Sequence, residues 1–392
     1  MPITFALAAL LSLQPTHMAF ASSPTIELVR QDEQGRPDLL VVKGRRDEET
    51  PVAGTIIESN LDQVVIEVAG EEKSYKADKV IRVQINRVPS EYADGEKHMK
   101  ARRFADAAAS FEKVAGTSSL REPVRAAAMI EGVRALVALS GTDGAALSRA
   151  AELANRYATS FPESRELPEA RRLAARVAHL AGDLGGAIDR YAALMGEFKG
   201  GTPTEGYDPF LCLEAGLAAA HAALDLKNES RARELFGELE AAATQLASSI
   251  GAEDPRAGRA EALRERALLG EGWILLVGNK GTQARSFFQS RVDGDQIRTA
   301  QARFEARLGL ARGFETGGEP RGAQVQYAMV SATVYGDDDL AARALVGLAA
   351  TTLTLGDTDA RTSARTWLTE VLERYPDTPS ARTAREMIAT LG

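Results

Sequence analysis

The chain has 392 residues, 44% hydrophobic and 26% charged, a balance that folds rather than stays disordered and leaves room for a compact domain followed by a long array. Its formal net charge of −8 excludes a general electrostatic pull toward nucleic acid or anionic lipid. Cys212 is its only cysteine, so no intrachain disulfide can form; set in Phe210-Leu211-Cys212-Leu213, it reads as a small buried hydrophobe.

Residues 1–21 read as a secretory signal: an apolar core from Ile3 to Leu11 is followed by Ala19-Phe20-Ala21, small residues that suit cleavage before Ser22. The apolar run is too short to span a bilayer comfortably, so no integral membrane segment is expected after cleavage. No Lys or Arg precedes the core, which departs from the usual pattern. No cysteine lies near the cleavage site, which argues against a lipoprotein. The expectation is an exported protein, periplasmic or otherwise extracytoplasmic.

Residues 22–88 change to an alternating period. Strands are expected at Asp38–Val42, Val52–Ile57, Gln63–Val68 and Lys79–Ile85, with a hairpin turn at Gly70-Glu71-Glu72. Four or five short strands in so few residues must close or pack to bury one face, giving a small β-barrel-like domain. In strand number and the Gly54-x-Ile56 start this part resembles the SH3-like and Sm-like small barrels. SH3 grooves need clustered aromatics, and Tyr75 stands alone among these strands. Binding of proline-rich peptides is therefore not expected.

Pro89 and Ser90 mark a boundary, with Ser90 expected to cap a helix starting near Glu91. From there to residue 392 the period is helical, and no further strand is expected. A small residue recurs four positions before a bulky one: Ala107 with Phe111, Ala187 with Tyr191, Ala232 with Phe236, Ala284 with Phe288, Ala323 with Tyr327, Ala364 with Leu368. The small side chain lets two helices approach and its neighbour fills the space beside it. Ala306–Val330 shows the unit most clearly: Leu308, Leu310, Ala311 and Phe314 share one period, Thr316-Gly317-Gly318-Glu319-Pro320 breaks it, and Ala323, Tyr327 and Val330 restart it.

On these residues, and on Gly95, Ala107, Phe111 and Val114 in the first unit, the region 89–392 resembles the tetratricopeptide repeat family. The resemblance implies a mainly α protein, a right-handed α-solenoid of about seven TPR-like helical hairpins preceded by the small β domain. Ala107, Ala150, Ala187, Ala232, Ala284, Ala323 and Ala364 lie about forty residues apart, longer than the family's usual thirty-four or so, so the superhelix should be irregular. Arg156–Ser164 and Trp367–Ala381, the latter with Tyr375-Pro376 and Ser380-Ala381, are similar to repeat endings in bacterial cell-envelope proteins. Pro376 stops one helix and Thr378 is expected to cap the next.

Catalytic and metal constellations do not emerge. His98, His179 and His221 are isolated, and neither a metal-ligand spacing nor a GxSxG elbow occurs. Gly278-Asn279-Lys280-Gly281-Thr282 lacks phosphate-loop spacing and reads as a hairpin turn; Asp337-Asp338-Asp339 reads as a helix start rather than a cation site. No enzyme activity, cofactor or metal is expected. In the family the first helix of each unit lines a concave groove. That implies a partner-binding face of Arg172, Arg176 and His179, then Leu217 and His221, then Leu269 and Trp273, then Leu308, Arg312 and Glu315. Each has an ordinary alternative: Trp273 packed between helices, the arginines simply solvated. Such a face would suit a protein segment bearing acidic groups, making the chain a cell-envelope scaffold or adaptor. The alternative is a cell-wall or polysaccharide binder using the β domain.

Overall fold

Alternating apolar residues build the first part of the chain. The computed structural model describes residues 36–44, 48–141, 143–251 and 253–391, and the expected leader lies outside them. Strands β1 (Asp38–Lys43), β2 (Glu49–Ser59), β3 (Gln63–Val68), β4 (Glu71–Lys76) and β5 (Val80–Gln84) form one antiparallel sheet in the order β4-β3-β2-β1-β5. Leu40, Ile56, Val64, Ile66, Val83 and Ile85 are buried as its core. A register shift between Ile56 and Glu58 bends β2 against β3. The tight turn falls at Ala69-Gly70, both with positive φ, one residue earlier than expected, and Glu71 already pairs with Val68.

The remainder is helical hairpins: α1 (Ser90–Lys100) with α2 (Phe104–Ala115), α3 (Glu122–Leu139) with α4 (Ala146–Ser160), and α5 (Leu167–Leu180) with α6 (Leu184–Met195). Then come α7 (Pro209–Asp225) with α8 (Glu229–Ile250), and α9 (Ala257–Leu268), which breaks at Leu269 into α10 (Gly270–Val277), with α11 (Gly281–Asp293). The last are α12 (Ala300–Thr316) with α13 (Pro320–Thr333), α14 (Asp338–Leu355) with α15 (Ala360–Arg374), and a closing α16 (Pro379–Leu391). First helices also stack on one another, α3 on α5, α5 on α7, α7 on α9, α9 on α12, α12 on α14, and α14 on α16.

The small-and-large pairs are the packing code. Ala107, Ala187, Ala232, Ala284, Ala323 and Ala364 are all fully buried beside their bulky partners. Glycines on the facing helices complete the fit. A Cβ on Gly309 would sit 2.3 Å from the Phe288 ring, one on Gly347 2.4 Å from Tyr327, and one on Gly95 2.8 Å from Phe111. These rings therefore lie directly on helix backbone, which only a missing side chain permits.

Three local expectations change. α1 begins at Ser90 itself, with Pro89 as N-cap and no side-chain cap bond. Thr378 donates its hydroxyl to the Tyr375 carbonyl, 2.9 Å away, inside the turn. The helical region also contains a strand pair, β6 (Phe198–Lys199) and β7 (Thr202–Pro203), against the expectation of none after Pro89. Two residues per strand are too few to show alternation; Gly200 and Gly201, at φ 58 and 85, close the turn that creates them.

The sheet is tied to the helices by named bonds. Buried Asp38 accepts from the Ile56, Asn86 and Arg87 amides at 2.9, 2.8 and 3.1 Å. It also receives Arg121 of the α2–α3 connection at 2.5 Å, whose guanidinium donates further to the Ile56 carbonyl. On the other side the α4–α5 turn joins the β2–β3 turn: Leu61 N donates to Glu163 O at 2.8 Å and Arg165 N to Ser59 O at 2.9 Å.

Candidate functional site

The expected face gathers where the first helices stack, and its middle is a buried network. Glu305 of α12, fully buried, accepts from Trp273 Nε1 of α10 at 3.1 Å, faces His221 Nε2 of α7 at 3.1 Å, and pairs with Arg266 of α9 at 2.5 Å. Arg266 reaches on to Asp337, 3.0 Å away at the start of α14. Burial would raise the Glu305 carboxyl, but Arg266 and the His221 contact outweigh it and hold the group at about 2. One residue back, buried Glu265 accepts from the Arg298 and Thr299 amides and the Thr299 hydroxyl at 2.8, 2.8 and 2.6 Å, covering the start of α12. The α9 dipeptide Glu265-Arg266 thus holds α12 at two points.

Leu217, His221, Leu269, Trp273 and Leu308 are all buried here. Trp273 packs edge-on to His221 and Phe288, at centroid distances of 5.8 and 5.4 Å. The α5 residues bridge rather than stand free. Arg172 makes a two-pronged pair with Glu169 at 2.7 and 2.9 Å, and Arg134 of α3 joins the same carboxylate at 3.0 Å. Burial by itself would raise Glu169, but Arg172 and Arg134 outweigh it and hold the acid below its usual range. Arg176 donates to the Asp377 carbonyl at 2.7 and 3.1 Å and meets Asp339 at 3.3 Å. His179 faces Asp225 at 3.1 Å. Arg312 and Glu315, a pair 3.5 Å apart, are the most exposed of the expected residues, and Glu315 also accepts from Tyr327 at 2.7 Å.

The structure adds an apolar groove that did not figure among the expected residues. Phe304 and Arg307 of α12 face Val325, Ala328, Met329 and Ala332 of α13 across a depression of about 600 Å³. Val325, Met329 and, just beyond the helix, Tyr335 are exposed, and Tyr335 stacks edge-on to Phe304 at 5.7 Å. Among the described residues Arg307 bonds to Gln326, at 3.4 Å, and the Met329 sulfur, at 3.7 Å. The signal was present on α13: Val325 and Met329 form an i, i+4 pair off the Ala323–Tyr327–Val330 stripe that faces the core.

Among the described residues three acids lack a full counter-charge: Glu166, Glu96 and Asp338, the last raised by burial and by Asp377, Asp339 and Asp337 against Arg176. Burial raises Glu166 to about 7, Glu169 adding to the shift and Arg165 and Arg134 offsetting it in part. Burial likewise raises Glu96 to about 7, against Lys100 and with Glu131. The Cys212 thiol, fully buried, is pushed up to about 12, first by burial and then by Asp208 and Glu197, which keeps it unreactive. Among the described residues no group of His, Cys, Asp and Glu side chains is arranged to hold a metal, and no helix is long and apolar enough to cross a membrane.

No protein-family model matches the chain, and no curated protein matches it. Among solved structures it is similar to a tetratricopeptide repeat protein from Parabacteroides merdae, at 12% identity and a TM-score of 0.41 over 77% of this chain and 97% of that one. It is also similar to the TPR domain of P58(IPK), at 14% identity and a TM-score of 0.28 over the same shares, 77% and 97%. The buried alanine and aromatic pairs, the glycines beneath the rings and the stacked first helices make this chain a mainly helical array of TPR-like hairpins with a five-stranded sheet at its N-terminal side.

Proposed function

We propose that the chain is a non-enzymatic scaffold, exported to an extracytoplasmic compartment of the cell envelope, that docks protein segments on its helical hairpins. The observation that carries the docking is the α12–α13 groove, where Val325, Met329 and Tyr335 stand exposed beside Phe304. An amphipathic helix with one acidic residue fits it, the apolar face in the groove and the carboxylate on Arg307. Arg312 and Glu315 are a further exposed pair on α12, while the buried members of the expected face hold the helices in place. Export is supported by the apolar core Ile3–Leu11 with Ala19-Phe20-Ala21, and the envelope by the repeat endings at Arg156–Ser164 and Trp367–Ala381. For a glycan reading the β part would need an aromatic shelf, and Tyr75, its one aromatic between residues 36 and 88, is partly buried against the sheet.

The test is a photo-crosslinking residue at Met329 in the full-length protein in its native cells, with the same residue at exposed Glu373 as control. A protein adduct specific to Met329 and lost in Val325→Asp, on a product whose N-terminus begins at Ser22, is the expected result. Equal labelling at Glu373 removes the groove; an unprocessed product removes the export.

A further inference from the structure

A second cavity, sharing no residue with the apolar groove, lies where the β sheet meets the array. It measures about 530 Å³, the size of a small-ligand or side-chain site, and lies between the β4–β5 turn, the start of α5 and the β7–α7 connection. Its walls are built. The backbone bonds of Leu61 and Arg165 described above fix one side. On the other, Gly206 sits at φ 80 with its α-carbon pressed on the β2–β3 turn: an added Cβ would lie 2.6 Å from the Leu61 carbonyl. Tyr207 is buried, with the Arg171 guanidinium 5.7 Å over its ring.

The charges lining the cleft do not balance. Asp78, Glu166, Glu169, Glu205 and Asp208 are acidic against Lys76 and Arg165. Glu169 is taken up by Arg134 and Arg172, Asp208 caps α7 through the Phe210 amide at 2.9 Å, and exposed Asp78 has Lys79 beside it at 3.8 Å. Arg165 donates to the Val80 carbonyl at 3.2 Å and offsets the charge of Glu166 only in part, with no ion pair closed between them. Glu166 is left: among the described residues its carboxylate accepts no hydrogen bond and closes no ion pair, and it is not one of the sealed atoms, so it meets the cleft. Pro168, Pro203, Tyr207 and Leu211 supply carbon surface around it.

We propose that this cleft binds an organic cation, an alkylammonium or guanidinium group on a short aliphatic stem, with Glu166 as its counter-ion and Asp78 and Glu205 drawing it to the mouth. The apolar walls bracket the stem and the partly desolvated carboxylate holds the charge, a stronger pairing than any at open surface. The cation can come from a free diamine or from a lysine or arginine of a protein segment, and the probes separate the two.

The experiment is calorimetric titration of the full chain at pH 8.5 with 1,5-diaminopentane and with the blocked peptide N-acetyl-Gly-Lys-Gly-amide, norleucine replacing lysine as control. At least one amine binds and the norleucine peptide does not; tighter binding by the diamine identifies a free small cation, tighter binding by the peptide a side chain. Glu166→Gln weakens the complex by at least about tenfold with circular dichroism and melting unchanged. Glu205→Gln, at an exposed residue, weakens it less. Glu166 is faced by Glu169, Arg165, Arg134 and Glu131, and with its carboxyl near 7 the affinity falls by up to about thirtyfold on going to pH 5.5. Absence of binding by both amines at millimolar concentration, or equal binding by wild type and Glu166→Gln, overturns the proposal.

Discussion

Glu305 shows how a single charge is kept in an apolar core. Its carboxylate is fully buried, yet Arg266, Trp273 and His221 satisfy it from three helices, so the cost of desolvation is met by bonds that only the folded array assembles. Arg266→Ala leaves the acid unpaired and should destabilise the chain by about 3–5 kcal/mol at neutral pH. The sign of the pH dependence follows from the carboxyl lying at about 2 when folded against an ordinary 4.5. Its contribution is present above 4.5 and is lost as pH falls toward 2. The difference in denaturant midpoint between wild type and Arg266→Ala should therefore be widest near pH 7 and close below pH 4; a gap independent of pH would show that the network is not what the substitution breaks.

At the level of elements the organising contact is a small residue under a ring. Ala323 is fully buried on α13, and four residues on, Tyr327 packs on the bare backbone of Gly347 in α14. There is no space for a longer side chain at either place. Ala323→Leu should overpack α13 and cost about 1–3 kcal/mol, seen as a lower melting temperature with the far-ultraviolet helical signal kept. An unchanged melting temperature would mean that α13 does not pack by this stripe. Val325 and Met329 stand on the same helix but off that stripe, so their truncation should leave melting alone while affecting docking.

For the whole molecule, units far apart in sequence touch. Arg176 of α5 holds Asp339 of α14 and the Asp377 carbonyl of the last turn, and Arg102, after α1, donates to the Glu373 carbonyl. The array thus closes its first units on its last. Removing Arg176 should open this contact, so Arg172→Ala with Arg176→Ala should increase the radius of gyration in small-angle scattering with helical content intact, whereas exposed Arg312→Ala alone should not. Loss of partner recovery in the triple change Arg172→Ala, Arg176→Ala, Arg312→Ala would then report closure as well as contact. An unaltered radius in the double change would show that the closing contact holds without these arginines.

Much of this was legible from spacing alone. The change of period near Pro89, the hairpin breaks and the alanine-to-aromatic recurrence are local quantities, set by residues four apart or by a turn, and they specify helices, strands and which helix face turns inward. The five-stranded sheet and the hairpins come from that level. What faces the inner surface does not. Arg172, Arg176, His179 and His221 read as members of a binding face because register gives direction but not what lies opposite. Their partners Glu169, Asp339, Asp225 and Glu305 lie 3 to 163 residues away, and three of the four are brought in only by the stacking of the hairpins. The Phe198–Pro203 strand pair was hidden because two-residue strands carry no period. The Glu166 cleft was hidden because it is formed by three connections that meet only when the sheet docks on the array. Periodicity decides which side of an element is buried; only the closed tertiary path decides which charges find a counter-charge and which remain open to a ligand.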